Sequence, residues 1–89
     1  MIVIHPYSRL LNNGKENPKN YPFWSELINQ VSEPIVQIGL PHEKQLVDDF
    51  RVSLNLGQIK DLIQECRTWI AVDSFFQHLC WSEGKPGIV

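Results

Sequence analysis

The sequence predicts an α/β fold: a Rossmann-like three-layer domain with a mostly parallel sheet of four to five strands and helices on both faces. Two observations carry this expectation. Short aliphatic, β-branched runs alternate along the chain with stretches whose apolar residues recur at helical spacing. The runs are also continuously apolar rather than alternating, as strands covered on both faces require. Right-handed crossovers then join the strands. If residues 47–51 form the third strand, the order is 3-2-1-4-5.

Each element has its own signal. Ile2-Val3-Ile4 is an unbroken β-branched run and reads as the first strand. In His5-Pro6-Tyr7-Ser8, Pro6 lacks a backbone donor and ends it. Residues 8–21 read as one loop, with Asn13-Gly14 and Asn17-Pro18 as turn signals. So long a connection in a compact domain points to function. Pro22 fits the first position of a helix. Phe23, Trp24, Leu27, Ile28 and Val31 follow as one apolar stripe, and Glu26 suits the helix dipole. Ser32-Glu33-Pro34 stops that helix. Ile35-Val36-Gln37-Ile38 is the second strand, ended by Gly39-Leu40-Pro41.

The later elements follow the same logic. Residues 42–46 read as a helical turn, and 47–51 as a short strand or an irregular edge. Asn55 caps the next helix, and Gln58 reaches back in a capping box. Leu56, Ile59, Ile63 and Cys66 share one face of it. Trp69-Ile70-Ala71-Val72 is a strand that closes at Asp73-Ser74. Residues 75–81 form a short helix with Phe76, Leu79 and Cys80 on neighbouring faces. Gly84-Lys85-Pro86 ends it, and Gly87-Ile88-Val89 begins another strand.

Composition bounds the function. The chain of 89 residues is one domain, 1–89, and three Trp, four Phe and two Tyr supply a real core. A net charge of -2 implies no basic face, so a nucleic-acid partner is not expected. No apolar run approaches the roughly 20 residues that span a bilayer. The start of the chain has no basic n-region, so no signal peptide is expected. Two cysteines make no disulfide framework and read as packed thiols, and the expected compartment is the cytoplasm. His5, His42 and His78 have no metal-ligand spacing.

Ligands of open α/β sheets bind beyond the carboxyl ends of the strands, where strand order reverses. That point lies between the first and fourth strands. The loops that follow them are the Asn/Lys-rich segment 8–20 and Asp73-Ser74, which opens directly into a helix. A helix start offers backbone N–H groups to an anion, and Ser74 adds a hydroxyl. Lys15, Lys19 and Arg9 supply positive charge, and His78 stands four residues beyond Ser74 on the same helical face. This spacing fits a diphosphate site, although the sequence carries no glycine-rich phosphate motif. The alternative readings are local: Asp73 as a helix cap, Lys15 and Lys19 as solvated loop residues, and Trp24, Trp69 and Trp81 as core or interface residues.

The stretch from Val72-Asp73-Ser74-Phe75-Phe76-Gln77-His78-Leu79 to Gly84-Lys85-Pro86 resembles a known signature. It is similar to the C-terminal, donor-binding domain of heptosyltransferase-type glycosyltransferases, which have the GT-B architecture. Their strand ends in Asp-Ser/Thr-Gly, followed by two residues, His-Leu/Ile-Ala, a small helix and Gly-Lys-Pro. Asp73, Ser74, His78, Leu79, Gly84, Lys85 and Pro86 match. The opening strand with Pro6-Tyr7-Ser8, the lysine-bearing loop before Tyr21-Pro22-Phe23-Trp24, and residues 56–63 fall in the same order, so the resemblance covers most of the chain.

It implies binding of a nucleotide-diphosphate sugar without a metal or other cofactor. Ser8, Lys15 or Lys19, Asp73, Ser74 and His78 would be the donor- and phosphate-binding residues. There are two departures. Phe75 stands where the family has Gly, whose lack of a side chain permits close backbone approach. The acceptor domain, which supplies the general base, is not among these residues, so donor binding without independent catalysis is expected. The alternative is a non-catalytic interaction or oligomerisation module that kept the fold. Its occupant would be a partner chain or a second copy, on the surface that the absent domain leaves.

Overall fold

A strand with three β-branched residues in a row needs cover on both faces, and the chain provides it. The computed structural model describes residues 1–7, 23–72 and 75–89. The first strand, β1 (Ile2–His5), is buried at all four positions. It lies inside the sheet, with β2 (Ile35–Gly39) on one side and β4 (Thr68–Ala71) on the other. The edge strand β3 (Asp49–Val52) completes the order β3-β2-β1-β4. All three pairings are parallel: Ile2 aligns with Ile35 and with Thr68, and Val36 aligns with Asp49.

Two cores flank the sheet because successive side chains of a strand point to opposite faces. Val3 joins Val36, Ile38, Trp69 and Ala71 on one face, under the helices α2 (Leu56–Glu65) and α3 (Phe75–Ser82). Ile2 and Ile4 face the other way, toward Trp24, Leu27 and Ile28 of α1 (Trp24–Asn29). The expected three-layer α/β architecture is therefore present, with four strands. The fifth is reduced to one parallel bridge. Ile88 N–H donates to Trp69 O at 3.0 Å, and Ala71 N–H donates to Ile88 O at 3.0 Å.

The helices follow their sequence signals with three corrections. Helix α1 starts at Trp24, and Phe23 stays 54% exposed instead of joining the stripe. The helix also closes by Asn29, but Gln30 and Val31 donate to Leu27 O and Ile28 O, and these tighter turns still bring Val31 onto the core. Helix α2 carries the expected capping box: Asn55 Oδ1 accepts from Gln58 N, and Gln58 Oε1 accepts from Asn55 N, both at 2.9 Å. Its buried face is Ile59, Leu62, Ile63 and Cys66, whereas Leu56, one turn earlier, is exposed. Helix α3 ends on Gly84 at φ +75°, where any side chain would be strained. Gly84 N–H donates to Trp81 O and Lys85 N–H to Cys80 O, the paired bonds of a Schellman stop.

The third correction lies between β2 and β3. Residues 42–46 form no helix, and the crossover 40–48 is a helix-free strap. A parallel connection usually takes a dozen residues or more. Here Gln37, fully buried in the middle of β2, holds the shorter one in place. Its Nε2 donates to Lys44 O at 2.9 Å, and its Oε1 accepts from Leu46 N at 2.7 Å. A polar side chain thus occupies a core position because the backbone passing over it satisfies both ends. Residues 40–43 close a turn, with Glu43 N–H donating to Leu40 O and Glu43 Oε1 accepting from Leu40 N.

Candidate functional site at the carboxyl ends of β1 and β4

The chain winds from β1 through β2 to β3 on one side, then returns to place β4 on the other side of β1. The strand order therefore reverses between β1 and β4, as the sequence implies. Their carboxyl ends are joined directly: Val72 N–H donates to His5 O at 3.2 Å. Beyond that bond, Pro6 is buried and Tyr7 half-buried, and the chain enters residues 8–22. From Val72 it enters residues 73–74 and then α3.

Helix α3 is pinned to this edge by aromatic packing. The His5 ring stacks on Phe76 at a centroid distance of 5.4 Å and an interplanar angle of 25°. Phe76 in turn meets the Trp69 ring edge-on at 6.0 Å. The first turn of α3 thus rests on the end of β1 and on Trp69 within β4. Burial lowers the His5 pKa to about 4, so the imidazole is neutral near pH 7 and adds no charge at the carboxyl end of β1. The sequence reading missed this role of His5, which it weighed only as a metal ligand. The available signal was a histidine closing a buried strand next to Pro6.

Ser8, Lys15, Lys19, Asp73 and Ser74, and with them Arg9, lie outside the described residues. His78 lies inside them. It is exposed on α3, with its ring edge-on to Trp81 at 5.6 Å. Phe75, the departure from the family pattern, is the first residue of α3.

Gly84-Lys85-Pro86, matched by resemblance, holds the chain after α3 against β4. Lys85 Nζ donates to Cys66 O at 2.7 Å, and Lys85 O accepts from Trp69 Nε1 at 2.8 Å. Pro86 O accepts from Thr68 Oγ1 at 3.0 Å. Gly87 then passes over the Trp69 indole so closely that a Cβ would overlap the ring. The motif lysine is thus accounted for by its bonds to Cys66 and Trp69, and the motif glycine, Gly84, by its positive φ.

The remaining reactive groups are quiet. Cys66 and Cys80 are free and buried. Burial pushes both thiols up, Cys80 to about 12, which leaves them protonated and unreactive. Among the described residues, no group of three His, Cys, Asp or Glu side chains is arranged to hold a metal ion. Among the same residues, no helix is long and apolar enough to cross a membrane. At the amino ends of the strands, Arg67 grips Glu33 through Nε and Nη2, the latter at 2.7 Å, and this holds the Glu33 carboxyl below the usual range. Comparison with protein-family models, curated proteins and solved structures found no match to the chain.

Proposed function

We propose that the crevice beyond β1 and β4 binds a nucleotide-diphosphate sugar, as the donor-binding half of a heptosyltransferase-type glycosyltransferase does. The observation that supports this reading is the adjacency of the two strand ends, tied by the Val72–His5 bond. Each end leads into one of the two segments that the sequence marks for phosphate chemistry. In this reading either Lys15 or Lys19 neutralises the diphosphate, Ser8 donates a hydrogen bond to it, Asp73 and Ser74 contact the sugar or phosphates, and His78 supports them. Binding needs no metal. Its setting is the cytoplasm, where two unpaired thiols stay reduced.

Calorimetric titration with nucleotide diphosphates and their sugars tests the proposal. One nucleotide-diphosphate sugar binds, chelator leaves its affinity unchanged, and Asp73→Ala together with Lys15→Ala or Lys19→Ala weakens it at least tenfold. Absence of binding by every member of the panel overturns it.

A second reading, an interaction module that kept the fold, is favoured by the exposure of Trp81, Ile88 and Val89, each more than half accessible. It requires self-association or capture of a partner chain through that surface. Light scattering at rising concentration distinguishes them, because a strict monomer removes self-association as an explanation.

A further inference from the structure

We draw no further inference here: the strongest candidate, the open groove of about 460 Å³ at the amino ends of β1, β2 and β3, walled by Ile28, Val31, Val47, Asp48 and Arg51, carries nothing because nothing in the structure shows what covers it.

Discussion

His5 couples acidity to folding. Its pKa is 6.5 in an unfolded chain and about 4 in the fold, because burial disfavours the imidazolium. Between those values the unfolded chain binds more protons than the folded one. Stability is therefore complete above pH 6.5, falls as the pH drops toward 4, and is fully lost for this group below that. The whole effect is about 3 kcal/mol, from roughly 1.4 kcal/mol per unit of displacement. Urea unfolding between pH 7 and 4 is expected to show this decline, and a His5→Phe variant is expected to flatten it. An identical slope in that variant would assign the decline to other groups. The residue itself was visible in the sequence, but its stacking partner Phe76 lies 71 positions away, and no local pattern joins the two.

At the scale of single elements, legibility followed the range of the forces involved. The α2 cap was readable because Asn55 and Gln58 are three residues apart and satisfy each other. The Schellman stop after α3 was readable for the same reason: Gly84 supplies a local conformation. The strap between β2 and β3 was misread because its support comes from Gln37, on another element. A helical turn fits the local sequence of residues 42–46, yet bonds to the sheet draw that backbone flat across the core. Replacing Gln37 by Leu leaves Lys44 O and Leu46 N–H without this partner. The expected cost is roughly 1–3 kcal/mol, read as a lower urea midpoint. Amide exchange should accelerate at Leu46 more than in β1. Uniform acceleration across the sheet would show that the strap has no separate stability.

For the whole molecule, strand order was the most accessible property. Continuous apolar runs required burial on both faces, and right-handed crossovers then left few arrangements. The fifth strand was overestimated: Gly87-Ile88-Val89 has strand composition, but only Ile88 pairs. The proposed site rests on spacing, Asp73-Ser74 before a helix and lysines after the first strand, and on a strand order that sets the carboxyl ends of β1 and β4 side by side. Their side-chain geometry follows from loop conformation, which periodicity does not encode. Occupancy of that crevice has a consequence for the entire fold, since a ligand that binds only the native state stabilises all of it. A nucleotide-diphosphate sugar at 100 times its Kd is expected to add about 2.7 kcal/mol and to raise Tm in proportion. A Tm that ignores every such ligand argues against the site.

The position of β1 between two distant partners sets a schedule for synthesis. Ile2 pairs with Ile35 and with Thr68. At translation rates of roughly 5–20 residues per second, β4 follows β2 by about 2–7 s. Throughout that interval one edge of a strand made of Ile, Val and Ile has no neighbour, and the aromatic cover from Trp69 and Phe76 has not been made. The same run of Ile, Val and Ile that is buried in the finished protein stays uncovered on one side for that interval.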